Sequence, residues 1–179
     1  MNGRHICATA LLAATALLNP ITAGAQDHQA AVWNTHELDF QYMGFTSRFS
    51  CGGLQDQIQG ILLKLGARDD RDIVSPGACS GVGDRPSRIA GVHIKAATLQ
   101  PAANDSATTA VDAYWKPVIV GGGGSDMDCE LLQQVKTDIL PLFTTRNVKG
   151  PNIECVPHQA TRIPAKLTLE VLTLAAPAQ

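Results

Sequence analysis

A repeated order of cysteines and amphipathic segments constrains the fold of this chain more than any other feature. Cys51 is followed by Cys79 after 28 positions, and Cys129 is followed by Cys155 after 26 positions. In both cases a strand-like stretch precedes the first cysteine, which opens an apolar helical pattern. An extended piece, a polar loop and a second strand-like stretch then follow. Because order and spacing recur together, the sequence predicts a tandem duplication of one β-α-β-β unit.

The first repeat, residues 38–99, contains two strand patterns around a helix. Residues 38–49 carry apolar side chains on both faces, which is typical of an interior strand. Apolar residues at helical spacing then run from Ser50, a residue type that caps helices, to Gly66, a residue type that commonly ends them. After a short extended piece, residues 88–99 alternate again between apolar and polar side chains.

The second repeat, residues 111–174, follows the same plan. Its first strand pattern places four apolar side chains on one face, namely Val111, Ala113, Trp115 and Ile119. Pro117 interrupts this pattern and predicts an edge position or a β-bulge, because proline cannot donate a ladder hydrogen bond. A helix that is predicted to begin near residue 126 closes at Pro141, and residues 166–174 form the last strand.

The connecting segments complete the predicted organisation. Residues 26–37 are polar and are predicted to be irregular, residues 101–109 form a surface connector, and residues 121–124 form a glycine loop. Each half has only about 75 residues, a size at which a core is thin, so we expect the halves to share one sheet. The predicted fold class is α+β, with two helices on one face of a mainly antiparallel sheet of six strands.

The start of the chain has the pattern of a secretory signal peptide. Arg4 supplies a positive charge, residues 6–18 are small or apolar, and a small-residue cleavage site precedes Gln26. A non-cleaved anchor is the alternative, although the apolar run is shorter than the roughly 20 residues that usually span a bilayer. We therefore predict a signal peptide at 1–25 and a single mature domain at 26–179, in the periplasm or secreted.

Export would leave four cysteines in the mature chain, since Cys7 departs with the signal peptide. An even number of cysteines in an exported protein predicts two structural disulfides, with three possible pairings. Zinc is disfavoured because no two cysteines have C-x-x-C spacing. If the repeats fold alike, the pairs are Cys51–Cys79 and Cys129–Cys155, while crossed pairs between the repeats stay open.

Charge and hydropathy disfavour two classes of partner. The chain carries 14 basic and 16 acidic residues, spread without runs of either sign, so it lacks the basic stripe that is typical of nucleic-acid-binding proteins. No segment after the leader is long and apolar enough to span a bilayer. We expect no nucleic-acid partner, and no membrane span once the signal peptide is removed.

No sequence motif indicates a catalytic, cofactor-binding or metal site. The histidines have neither HExxH nor H-x-H spacing, and no G-x-S-x-G elbow is present. The glycine loop lacks the lysine of a phosphate-binding loop, and Asp126 and Asp128 are predicted to stabilise the start of the second helix rather than bind calcium. A catalytic triad assembled across the fold stays open, because triads are defined by geometry.

The last strand of each repeat has one polar face that could contact a partner. His93 and Lys95 share this face in the first repeat, and Lys166, Thr168 and Glu170 share it in the second. If the helices cover the apolar side of the sheet, the polar side stays at least partly open to a protein or peptide. The alternatives are that this face is simply solvated, or that an edge strand near the proline of the second repeat takes the partner.

Three stretches resemble a group of exported proteins from Gram-negative bacteria. They are Tyr42–Cys51 (YMGFTSRFSC), Leu65–Arg68 (LGAR) and Cys129–Leu131 (CEL). The resemblance would cover most of the mature chain and implies export. The group has no assigned activity, so the resemblance supplies no catalytic or binding residues.

These observations favour a soluble periplasmic or secreted binding module without catalytic activity and without a cofactor. The first alternative is a small hydrolase of the cell envelope, with a site assembled from both repeats. The second alternative is a structural component of the envelope. A pocket that brings together an acid, a histidine and a hydroxyl would favour the hydrolase, and an exposed apolar patch would favour the binding module.

The leader prediction has a direct test. N-terminal sequencing of the protein purified from its native host should give Gln26 as the first residue, because the small residues before it suit signal peptidase. A mature chain that begins at Met1 would contradict the prediction.

Overall fold

The computed structural model of the protein describes residues 28–45, 47–70, 73–77, 85–103, 109–122, 129–150 and 164–175. Its strands are β1 (His28–Met43), β2 (Val74–Pro76), β3 (Ile89–Pro101), β4 (Val111–Gly121), β5 (Thr145–Lys149) and β6 (Lys166–Leu174). Its helices are α1 (Cys51–Lys64) and α2 (Cys129–Gln134), and α2 continues as a π turn, Val135–Ile139, and a 3₁₀ turn, Leu140–Leu142. Several predicted features lie outside the described residues: the leader at 1–25, most of the two loops at 101–109 and 121–124, Asp126, Asp128, Cys79 and Cys155.

The six strands form one sheet in the order β2-β3-β1-β4-β6-β5, and every pairing in it is antiparallel. β1 and β4 lie at the centre, and the pairing outward from the centre is the same in both halves. The central contact is short within the described part of the chain, where it joins His28–Ala31 to Val111–Tyr114. β1 pairs with β3 over Ala31–Met43 and β4 pairs with β6 over Ala113–Gly121, so the two halves are offset along the strands. The prediction of an α+β fold with a mainly antiparallel sheet is confirmed.

Both helices pack on the same face of the sheet and share one hydrophobic core. The helical residues in this core include Leu54, Ile58, Ile61, Leu62, Leu131, Leu132, Val135 and Ile139. Alternate residues of the four inner strands complete it, including Phe40, Tyr42, Val92, Ile94, Val118, Val120, Leu167 and Leu169. Since side chains of a strand alternate between its faces, the helices cover one side of the sheet only. The predicted contact between the two halves is therefore present.

The local signals at the ends of α1 act as predicted. The Ser50 hydroxyl accepts a hydrogen bond from the Gly53 backbone N–H at 3.0 Å and thereby caps the helix. At the other end Gly66 has a φ of 89°, a left-handed conformation that glycine adopts without steric cost. The Ala67 N–H then bonds the Leu62 carbonyl at 3.0 Å, which satisfies a group at the helix end.

The prediction that residues 26–37 are irregular is wrong for the described part, because β1 begins at His28. Residues from Ala31 onward pair with β3, and residues before it pair with β4, so the backbone bonds are satisfied on neighbouring strands. The strand also ends at Met43 rather than at residue 49, and Phe49 forms only an isolated bridge with Ser87.

Pro117 occupies a position that is locally an edge, although β4 is central in the sheet order. The Asp112 carbonyl accepts a hydrogen bond from the Ala175 N–H, on the β6 side of β4. Because backbone groups alternate in direction along a strand, the even-numbered residues of β4 direct theirs to β6. Pro117 therefore directs its nitrogen to the opposite side, where β1 no longer pairs with β4. The missing N–H costs the β4–β6 ladder no hydrogen bond.

The far end of β1 is closed by side chains from α2 instead of by a strand. The Gln134 side-chain amide accepts from Met43 N–H at 3.0 Å and donates to Met43 C=O at 2.9 Å. The Glu130 carboxylate accepts from Phe45 N–H at 2.9 Å and lies 3.5 Å from the Tyr42 hydroxyl. The second half of the chain therefore holds the end of the first strand of the first half.

Gln134→Ala should lower the free energy of unfolding by about 1 kcal/mol, because it removes two side-chain hydrogen bonds to the backbone at a partly exposed place. The measurement is equilibrium urea unfolding, together with hydrogen exchange at the Met43 amide, which should become faster. Gln133→Ala is the matched control, because the Gln133 side chain is exposed on the neighbouring position. Equal stability of the two variants would contradict the role given to Gln134.

Candidate functional site

The sheet face opposite the helices, which we call the open face, carries a second and smaller apolar cluster. Its buried members are Ala31, Leu99, Ala113 and Leu172, and its partly buried members are Trp33, Val111 and Trp115. The cluster spans the centre of the sheet, because its residues come from β1, β3, β4 and β6. The apolar residues predicted to share one face of β4 lie on this face, whereas Val118 and Val120 of β4 enter the helix-covered core.

An arginine stacks on each of the two tryptophans of this cluster. The Arg68 guanidinium lies 5.6 Å from the centre of the Trp33 ring, and the Arg146 guanidinium lies 4.4 Å from the centre of the Trp115 ring. Arg68 Nε forms an ion pair with Asp70 Oδ2 at 2.8 Å. Arg146 forms an ion pair with the Glu170 carboxylate. A guanidinium over an indole ring contributes about 0.5–1 kcal/mol where it is exposed to solvent.

The residues predicted to form a partner face lie on the open face but do not form one patch. His93 and Lys95 lie on β3, and Lys166, Thr168 and Glu170 lie on β6. β1 and β4 separate these two strands. The predicted polar sites therefore flank the tryptophan cluster rather than form a continuous surface.

Three of these predicted residues are engaged in ion pairs. His93 Nδ1 lies 2.8 Å from Asp39 Oδ1, and Lys95 Nζ lies 2.9 Å from Glu37 Oε1. The Lys95–Glu37 and Arg146–Glu170 ion pairs neutralise charge on the face itself.

The tryptophans and arginines were not predicted as site residues from the sequence. Arg68 and Arg146 each lie 17 positions after the first cysteine of their half, so the repeat carries a signal for them. Trp33 has no such signal, because its place on the open face follows from the pairing of β1 with β3 opposite Leu99.

An acid, a histidine and a hydroxyl also meet on the open face. Asp39 is the register partner of His93 on β1, and Ser75 is its register partner on β2. A shallow cavity of about 400 Å³ lies beside Asp39, with Gly91 in its lining. Among the described residues, however, His93 bonds Asp39 and not Ser75, and the Asp39 side chain is 89% exposed. These residues therefore lack the buried, oriented acid of a catalytic triad. The neighbouring Glu37–Lys95 pair joins the same two strands, so the Asp39–His93 contact belongs to a row of cross-strand pairs.

Other site classes find little support within the described ranges. These residues contain no group of three or more histidine, cysteine or acidic side chains placed to hold a metal ion. None of their helices is both long and apolar enough to cross a membrane. Cys51 and Cys129 are the first residues of α1 and α2. Because Cys79 and Cys155 lie outside the described residues, the pairing remains a prediction.

Comparisons with known proteins add no family to this description. No protein-family model matches the chain, and no match was found among curated proteins or among solved structures. The candidate site therefore stands on its own geometry.

The Glu37–Lys95 pair has a testable effect on titration. The hydrogen bond from Lys95 lowers the pKa of the Glu37 carboxyl, and the same bond raises the pKa of the Lys95 ammonium. The stabilisation from this pair is present at neutral pH. It is lost as the pH falls through the lowered pKa of Glu37 and as the pH rises through the raised pKa of Lys95.

Lys95→Met should therefore return the titration midpoint of Glu37 toward its ordinary value, as measured by the carboxyl carbon shift in NMR. Lys64→Met is the control, because the Lys64 side chain lies on α1 and not on the open face. An unchanged midpoint in Lys95→Met would contradict the pairing.

Proposed function

We propose that the mature chain is a non-catalytic binding module of the periplasm or the secreted fraction, and that its open face holds a protein partner. The observation that carries this proposal is the pair of arginine–tryptophan stacks around an apolar cluster on an uncovered sheet face. Tryptophan and arginine are the residue types that most often dominate the binding energy of protein interfaces.

The surroundings of the cluster fit a protein partner better than a polyanion. Ile119 and Leu174 lie on the same face and are 53% and 47% exposed, so the apolar surface extends beyond the tryptophans. The Glu37–Lys95 and Arg146–Glu170 ion pairs, one on each side of the cluster, give it a polar rim of mixed charge. An apolar centre with a polar rim is the usual anatomy of a protein interface.

The duplication and the disulfide pairing belong to the same proposal. Two features support the duplication: the element order β-α-β-β occurs twice, and the strands of each half pair in the same way. The proposed pairs are Cys51–Cys79 and Cys129–Cys155, which would hold the start of each helix to its own half. The resemblance of Tyr42–Cys51 to exported proteins supports the proposed location.

A hydrolase is the second candidate, and the row of Ser75, His93 and Asp39 is the observation in its favour. A fluorophosphonate probe labels serine nucleophiles that a histidine activates. Labelling that Ser75→Ala removes would favour the hydrolase over the binding module. A purely structural role in the envelope would give neither probe labelling of Ser75 nor capture of a partner in a pull-down.

The binding proposal predicts a loss of capture by changes on the open face. Leu174→Glu and Arg68→Glu place a new negative charge at two ends of the cluster, at exposed positions where the fold tolerates them. In pull-downs from periplasmic extract of the native host, each variant should reduce recovery of the captured partner at least tenfold.

Leu63→Glu is the matched control, because Leu63 is exposed on α1, on the other side of the molecule. It should capture the partner as the unchanged chain does. Equal recovery by all variants, or loss with Leu63→Glu alone, would contradict binding at the open face.

A further inference from the structure

Part of β4 has a free edge among the described residues, beside α1 on the helix-covered side of the sheet. Between Trp115 and Gly121, β4 pairs with β6 on one side, and the described residues supply no strand on the other side. The odd-numbered residues of this stretch direct their backbone groups to that free side, as the alternation of the β4–β6 hydrogen bonds requires. The free edge therefore offers the N–H groups of Ile119 and Gly121 and the carbonyls around Pro117.

The mature N-terminus is too short to cover this edge. The proposed cleavage leaves only two residues, 26 and 27, before the first residue of β1, His28, which pairs with Tyr114. A chain that begins at Gln26, as the proposed function has it, then has no residue to place beside the stretch from Pro117 to Gly121.

A groove of about 380 Å³ separates this edge from α1. Its lining comprises Gly53, Asp56, Gln57, Gly60, Ile61, Lys64, Val120 and Gly121. A Cβ atom added at Gly60 would meet no atom within 4 Å, so the helix leaves room for side chains that enter between it and the strand. A groove with a strand edge on one side and a helix on the other is the geometry in which extended peptides bind as an added strand.

Two charges on the helix wall specify the chemistry of the peptide. Asp56 and Lys64 both line the groove and are exposed, and within the described residues neither forms an ion pair. They are eight residues apart on α1, which is roughly 12 Å along the helix axis. An extended strand covers that distance in about four residues. A complementary peptide therefore carries a basic and an acidic side chain about four positions apart, with an apolar residue between them opposite Ile61 and Val120.

We propose that the β4 edge and the α1 groove bind an extended peptide of another protein, with opposite charges about four residues apart. Backbone hydrogen bonds to β4 supply affinity, and the groove selects the side chains. This site rests on the proposed cleavage before Gln26 and is independent of the open face.

The test uses the chain from residue 26 to 179, labelled with ¹⁵N, and synthetic nonapeptides of alternating valine and threonine. One peptide carries a lysine and, four positions later, a glutamate; the second carries the two in the reverse order; a third has N-methylated backbone amides. One of the first two peptides should shift the Ile119 and Gly121 amide resonances and slow their hydrogen exchange at least tenfold, and the N-methylated peptide should do neither.

Gly60→Leu should abolish peptide binding, because the new side chain fills the groove, and it leaves the helix at least as stable. Leu63→Gln, outside the groove, and Leu174→Glu, on the open face, should bind the peptide normally. Gly60→Leu should in turn leave partner capture by the open face unchanged, so the failure of one site is distinguishable from failure of the other.

Three results would overturn the proposal. The first is that no peptide shifts these amides, and the second is that Ile119 and Gly121 are already protected in the free mature chain. The third is a dimer in sedimentation that Gly60→Leu dissociates, because the occupant would then be a second copy of this chain.

Discussion

The short pairing between β1 and β4 is the contact on which the architecture depends. Four residues on each strand, His28–Ala31 and Val111–Tyr114, join two three-stranded halves into one sheet. Each half alone would have a thin core, and the pairing allows the two helices to pack over a common one. The offset of the halves also leaves part of β1 and part of β4 without a partner strand among the described residues, on the side where the halves meet.

The free edges of β1 and β4 have different surroundings, because the helix side chains beside them differ. Glu130 and Gln134 of α2 bond the end of β1. The residues 78 positions earlier, at the matching places of α1, are Gly52 and Asp56. Glycine has no side chain to reach the strand, and the aspartate side chain is shorter than that of glutamine. The edge of β4 therefore faces an open groove, while the far end of β1, at Met43 and Phe45, is bonded by α2.

Local signals allowed much of the fold to be predicted, and non-local pairing limited the rest. β6 was predicted with its observed bounds because its side chains alternate strictly, and α1 was predicted because Ser50 and Gly66 mark its ends. The first ten residues of β1 were missed because most of them are polar residues or alanines with weak strand propensity, and pairing with β3 and β4 overrides it. The open-face residues were predicted only in part. The polar positions follow from alternation, whereas the stacking of Arg68 on Trp33 depends on contacts between distant segments.

The central claim is that the two halves fold as one unit through the β1–β4 contact and the common core. Native-state hydrogen exchange tests it most directly, by comparing the Ile94 amide in β3 with the Leu169 amide in β6 over a series of low urea concentrations. Both amides lie in strands flanked on both sides, so local fraying contributes little to their exchange. The account predicts that both exchange through the same global opening, with free energies that agree within about 0.5 kcal/mol and the same urea dependence. Two separate openings, with free energies that differ by more than about 1 kcal/mol and with smaller urea slopes, would show that the halves unfold independently and would contradict it.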